Sequence, residues 1–307
     1  MAYPVYSTTP VLSGTYVPEI FTGKLLVKFY KACVIAAISN TDYEGEIKAM
    51  GDTVHIRTIP DVSIRDYLKG QTLTYDWLTP DKVDLLINLG KYYGVNINDI
   101  DKLQSDIPFQ EKWTEDAAEQ MKIAIDTSIL ATAYVGAHAK NKGSNAGLVS
   151  SNIDLGSAGT PVTLTKANIL DKIVEVGQVL TEQNVPSTDR WLVIPAWSKT
   201  RMLTSDLRNA TIMGDGKSAL RNGRIGEIDN FTIYESNSLP HATDGVECFH
   251  LMAGHRSALT FASQLTENEV IPNPNDFGKL MRGLQVYGWK CIKPEALVDI
   301  YATAGAL

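Results

Sequence analysis

Between Lys82 and Asn98 the chain alternates between apolar and polar residues almost without a break. Val83, Leu85, Ile87, Leu89, Tyr93, Val95 and Ile97 fall on one parity. Lys82, Asp84, Asn88, Gly90, Gly94, Asn96 and Asn98 fall on the other, and Leu86, Lys91 and Tyr92 depart from the pattern. Successive side chains of a strand point to opposite faces, so this period means extended chain with one face buried. Drawn as one strand, the run spans on the order of 50 Å at ~3.3 Å per residue. Ordinary strands hold about 5–6 residues. A shorter alternation precedes it, with Val54 and Ile56 set against His55 and Arg57, and the turn-rich stretch DYLKGQTLTYDWLTPD lies between the two. The pair predicts two long antiparallel strands in an extended ribbon, with Gly90 and Gly94 bending it or marking a bulge. A two-stranded ribbon is at best marginally stable alone, and ordering each residue costs roughly 1–2 kcal/mol. Either this chain folds back over the apolar face or a neighbouring subunit covers it.

The remaining chain mixes helix and strand without a regular βαβ rhythm, which indicates an α+β fold. Residues Met1 to Gly14 are rich in Ser, Thr and Pro and read as an extended arm, and Glu19 to Ser39 is helical in part. A long helix is expected from about Phe109 to about Val135. Pro108 stands near its start, Trp113, Ala117, Met121, Ala124, Ser128 and Thr132 recur at helical spacing, and Glu111, Glu115, Asp116 and Glu119 crowd its first turns. Asn141 to Thr160 is Gly/Ser/Asn-rich and reads as a mobile loop. A second helix follows, with Thr165 as N-cap, Ile169, Ile173, Val176 and Leu180 on one face, and Pro186 ending it. Arg190 to Pro195 (RWLVIP) predicts a short buried strand, followed by a helix through Trp197 and Leu203. Later strands are expected at Phe231–Tyr234, Cys248–Met252, Ala258–Phe261 and Leu284–Lys290, and Ala296 to Tyr301 is the last apolar piece.

Sequence chemistry argues against catalysis. Gly214-Asp215-Gly216-Lys217-Ser218 resembles the end of a P-loop, but Thr211 stands where its first glycine belongs. Asp99, Asp101 and Asp106 do not make an EF-hand, because Gln104 and Gln110 occupy the required Gly and Glu positions. His250 and His255 are five apart rather than four, and the serine of GHRSA falls outside a nucleophile-elbow register. No cofactor is expected. The side chains sum to 28 − 35 = −7, which opposes a general grip on nucleic acid. Cys33, Cys248 and Cys291 include no CxxC pair, and the count suits a reducing cytoplasm. The start MAYPVYSTTP has no signal-peptide pattern, and Ala32 to Ile38 is too short to span a bilayer, so no membrane is expected.

Several segments occur in an order that resembles tailed-bacteriophage major capsid proteins of the Hong Kong 97-like fold. They are RWLVIPAW (Arg190 to Trp197), GRIGEIDNFTIYESNSLP (Gly223 to Pro240), AGHRSALTFASQL (Ala253 to Leu265) and RGLQVYGWKCIKPEALVDIYA (Arg282 to Ala302). Family members often carry Gly before the aromatic strand. Here Asp229-Asn230 precede Phe231, and both tolerate the left-handed turn. The resemblance implies an N-terminal arm at 1–45, an extended E-loop hairpin at 46–98, a P-domain with a long spine helix at 99–183 and 286–307, and an A-domain at 184–285. It implies self-assembly through pentamers and hexamers into an icosahedral shell that encloses dsDNA without sequence-specific binding. The expected partners are further copies of itself, a separate scaffolding protein, a portal and a decoration protein. The expected location is the virion, after assembly in a bacterial host cytoplasm. Arg57, Arg65, Asp66 and Lys69 on the ribbon are the candidate intersubunit contacts. Some relatives form Lys–Asn cross-links through the E-loop, and Lys69 is the lysine placed for one, though a solvated tip lysine is the simpler reading. An encapsulin-type compartment and a soluble α+β enzyme are the alternatives.

Overall fold

The computed structural model describes residues 30–42, 53–60, 62–98, 109–205 and 227–305. The expectations for Met1–Gly14, the Asp99–Asp106 cluster and Gly214–Ser218 lie outside these residues. The first elements are a single helical turn α1 (Ile35–Ile38), strands β1 (Thr53–Arg57), β2 (Lys82–Leu86) and β3 (Leu89–Asn98), and the long helix α2 (Phe109–Ala133). Next come β4 (Val162–Leu164), α3 (Ile169–Glu182), β5 (Arg190–Ile194), α4 (Ala196–Thr204), β6 (Glu227–Ile228) and β7 (Phe231–Glu235). The chain continues through β8 (His241–Asp244), β9 (Val246–His255), β10 (Leu259–Pro272), β11 (Gly278–Cys291) and β12 (Leu297–Ala304).

The largest sheet runs β4-β12-β9-β5-β7-β6, with β8 paired to β9. Helices cover both of its faces at β5. Leu192 and Ile194 enter one core with Ile173, Val176 and Leu180 of α3 and Met202 of α4. Trp191 and Val193, on the other parity, enter a second core with Ile125, Ile129 and Leu130 of α2. A strand covered on both faces loses its polar alternation, which is why RWLVI reads as an unbroken apolar run. β12 behaves alike, sending Val298 and Ile300 to the first core and Leu297 to the second. Thus α3 and β12, expected with the P-domain, share a sheet and core with β5 and β9, expected in the A-domain.

The continuous ribbon is corrected. β1 pairs with β2 for five rungs only, from Thr53↔Leu86 to Arg57↔Lys82. After Leu86 the alternating run changes partner. β3 pairs with β11 from Leu89↔Tyr287 to Asn98↔Gly278, and β11 pairs with β10 in a three-stranded sheet. Periodicity identifies strand and face but not the partner, so two strands in series read as one. Gly90 and Gly94 lie inside β3, and the register shift falls instead in β10, between Ser263 and Leu265. β10 and β11 hold 14 residues each, far beyond the short strands expected at Ala258–Phe261 and Leu284–Lys290. The long helix α2 lies against β3 as well as the large sheet and closes with a 3₁₀ turn, Tyr134–Gly136.

The second helix starts later than its N-cap signal. Asn168, not Thr165, occupies the cap position, and its Oδ1 accepts from the Thr165 backbone N–H (2.7 Å) and hydroxyl (3.1 Å). The helix ends before Pro186. Asn184 takes a left-handed φ of 59°, and the N–H groups of Asn184 and Val185 donate back to Thr181 and Leu180. This paired closure satisfies carbonyls the helix would otherwise leave open.

The segment expected to be a mobile loop is tied down. Asn141 is fully buried and donates to the carbonyls of Glu295 (2.7 Å) and Leu297 (3.0 Å). Leu155 is buried too, and its carbonyl accepts from Tyr301 N–H. Glu182 accepts from Val149 N–H (2.8 Å) and Ser150 N–H (3.1 Å) through one oxygen and from Gln178 through the other. Composition marks the absence of a regular element here, not freedom to move. The Gln178 amide and then the loop N–H groups hold the Glu182 carboxyl down to about 2. Its folded value is depressed, so its contribution is present above the ordinary carboxylate range and fades as pH falls toward about 2. Amide exchange at Val149 and Ser150 should therefore accelerate between pH ~4.5 and ~2 relative to the sheet core, and Glu182→Gln should remove that dependence. An unchanged ratio across this window would show that Glu182 does not fasten the loop.

Candidate assembly surface

The hairpin that begins at β1 has an anchored root and a bare outer limb. At the root, Ile56, Leu85 and Ile87 are buried against Ala262 of β10 and Val286 of β11. The apolar parity of the alternating run is thus largely covered by this chain itself. Of the two coverings the sequence left open for that face, the chain's own fold supplies most, and the bare apolar surface lies further out. The last rung is followed by Thr58, whose N–H and hydroxyl both donate to the Asp81 carbonyl at 2.9 Å. Among the described residues from Thr58 to Asp81 there is no strand.

Two local devices shape this outer limb. Arg65 donates to the Thr74 carbonyl (3.0 Å), to the Thr74 hydroxyl and to Asp76 (2.6 Å), joining the outgoing and returning chain. At the tip, Gln71 N–H donates to the Leu68 carbonyl (3.0 Å), and Gly70 takes a φ of 92° that other residues adopt only with strain. These ties leave the apolar side chains outside. Trp77, Ile59 and Ile64 are 97%, 94% and 91% exposed. Tyr75, Leu68, Tyr67, Val62 and Leu73 are all more than half exposed. Isolated exposed apolar residues are ordinary, but a run of this density on one limb marks a surface meant to be covered.

The predicted polar contacts fall at different places on this limb. Arg57 is exposed at the root, directly opposite Lys82, a like-charged cross-strand pair. Next to it His55 and Asp84 contact at 2.5 Å, and the His55 hydrogen bond holds the exposed Asp84 carboxyl below its usual range. Asp66 and Lys69 are exposed near the tip. Arg65 already has partners within the subunit. The sequence reading missed the apolar residues between these charges. Their signal was present, because Ile59, Val62, Ile64, Tyr67, Leu68, Leu73, Tyr75, Trp77 and Leu78 follow neither a helical nor a strand period.

The described residues contain no group of three or more His, Cys, Asp or Glu side chains able to hold a metal. No helix among them is long and apolar enough to cross a membrane. What stands out is an arm rather than a pocket. A family model for phage capsid protein matches residues 82–300 of the chain. The chain belongs to that family. This capsid protein also shares its fold with a solved structure from Mycobacterium phage Che8, with a TM-score of 0.76 and 27% identity over 95% of this chain and 99% of that one. The capsid structure of cyanophage P-SCSP1u gives a TM-score of 0.70 at 16% identity, over 95% of this chain and 96% of that one. A subunit of the bacteriophage PhiM1 mature capsid gives 0.68 at 17% identity, over 94% and 92%. No curated protein matches it. The Hong Kong 97-like fold and the tailed-phage major capsid identity expected from the ordered segments hold. The capsid protein is a structural component of the virion and not an enzyme.

Proposed function

We propose that the capsid protein assembles through pentamers and hexamers into an icosahedral shell that encloses phage dsDNA, and that the limb from Thr58 to Asp81 docks on a neighbouring subunit. The observation that carries this reading is the apolar limb, with its root buried in its own subunit and its outer residues bare. Full burial of one such side chain contributes ~1.5–3 kcal/mol. Repeated at every subunit of a closed shell, this stabilises assembly without a deep pocket. Arg57, Asp66 and Lys69 are the proposed polar partners at the docked limb, while Arg65 holds it in shape. A net charge of −7 favours enclosing dsDNA over binding it tightly. Assembly in the host cytoplasm, aided by a scaffolding protein and a portal, belongs to the same proposal.

Electron microscopy of the purified chain expressed with its phage's scaffolding protein should reveal closed shells with five- and six-fold clusters. Particles from infected cells should hold nuclease-protected dsDNA. A chain that stays monomeric under these conditions, or infected-cell particles containing protein cargo and no nucleic acid, would overturn the respective part of the reading.

A further inference from the structure

The helical turn α1 has no cap of its own. Val34 occupies its N-cap position, and a valine side chain accepts nothing. The missing acceptor comes from 91 and 92 residues away, on the long helix α2. One oxygen of Asp126 accepts from both Val34 N–H (2.8 Å) and Ile35 N–H (2.9 Å). Asp126 is 2% exposed, and its second oxygen has no hydrogen-bond partner among the described residues. A helix of four residues does not persist alone, since helices shorter than ~12–15 residues are marginal in water. Here the sequence supplies neither length nor a local cap.

We propose that residues 30–40 form a conditional strap, folded when Asp126 caps it and able to leave the core as a unit when that contact opens.

Three features support a separable unit. Among the described residues its other polar ties to the rest of the chain lie at its ends: Tyr30 hydroxyl donates to Asp116 (2.9 Å), Asn40 exchanges backbone bonds with Leu259 (2.8 Å) and Phe261 (3.0 Å), and Arg256 Nε donates to the Ser39 carbonyl (3.4 Å). Its apolar hold is confined to three side chains, Val34, Ile35 and Ile38, set against α2 and its surroundings. The latch itself is a buried carboxylate whose burial raises its proton affinity against two opposing N–H bonds. Such a contact holds in the closed geometry and has little to recommend it in a half-open one. Released, 11 residues supply ~36 Å of extended chain at ~3.3 Å each. The strap is therefore a built-in means of changing reach, and it operates within one subunit, independent of how the shell assembles.

Native-state amide exchange on the full-length, unassembled subunit tests this. In the unaltered protein, the amides of Val34 to Asn40 should open at lower urea than those of Ile125 to Ala133. A single shared transition would refute separability. Asp126→Ala should accelerate strap exchange at least about tenfold, the loss expected for a deleted cap, while the large sheet stays protected. Asp126→Asn, which keeps the acceptor oxygen, should stay within about threefold of the parent. If alanine leaves the strap amides protected, or asparagine exposes them as fully as alanine does, Asp126 is not the latch.

Discussion

Deleting Asp66 to Tyr75 should leave subunits that fold and do not close shells. The deletion removes Tyr67, Leu68, Leu73 and Tyr75, all more than half exposed. It leaves untouched the five rungs of β1–β2 and the root residues Ile56, Leu85 and Ile87. Folding stability should move by no more than ~0.5 kcal/mol, the usual range for surface changes. Assembly should respond far more strongly. Four such side chains contribute at most ~6–12 kcal/mol per subunit when fully buried. Since ~1.4 kcal/mol is a factor of ten in an equilibrium constant, even a quarter of that lowers shell yield more than tenfold. Sedimentation velocity would separate the outcomes, with a subunit peak and an unchanged melting curve expected. Normal particles from the deleted chain would sink the docking proposal. A melting temperature lowered in step with lost assembly would show that the limb belongs to the subunit's own core.

Much of this architecture was legible because it depends on local pattern. The helix over Phe109–Ala133 follows from apolar spacing and acidic residues in its first turns, and β5 from five consecutive residues that tolerate burial. The turn at Asp229-Asn230 was legible through residue type, and both indeed take positive φ, 48° and 62°. What stayed hidden depends on partners distant in sequence. Val83 and Val95 carry the same periodic signal, yet the strands on which they lie pair with β1 and β11 respectively. The length of β10 and β11 was hidden because Glu267, Asn268, Glu269, Lys279 and Arg282 break the apolar run. Arg282 pairs with Glu269 across the ladder at 2.6 Å, a cross-strand support that periodicity does not register. At the arm, polar signals drew the four candidate contacts while the apolar limb between them went unread. A hydrophobic residue usually signals core, and only the fold reveals that Trp77 and Ile64 have none.

The largest loss of subunit stability should come from Arg190, the first residue of β5. Its side chain is buried beside the last turns of α3 and the turn that follows, facing the carbonyls of Gly177, Val185 and Pro186. The guanidinium Nε donates to the Pro186 carbonyl (2.8 Å), and Nη2 donates to Val185 O (2.7 Å) and the Thr181 hydroxyl (3.2 Å). Nη1 donates to Gly177 O at 3.2 Å, and the cation also lies 6.0 Å from the Phe231 ring centroid. A cation at a helix C-terminus is favourably placed against the macrodipole. Here it also fixes the turn that carries the chain from α3 into the central strand. Burial lowers the proton affinity of the guanidinium, while Asp229 nearby opposes that shift, so the charge persists. Arg190→Ala should therefore cost on the order of 3 kcal/mol, because it leaves several buried acceptors without their donor. Arg190→Lys should recover only part of it, because one ammonium cannot span four acceptors in a planar fork. Urea unfolding of the unassembled subunit measures both. A loss below ~1 kcal/mol for alanine would mean that water satisfies those carbonyls as well as the guanidinium does, and that the turn at Asn184 holds α3 without it.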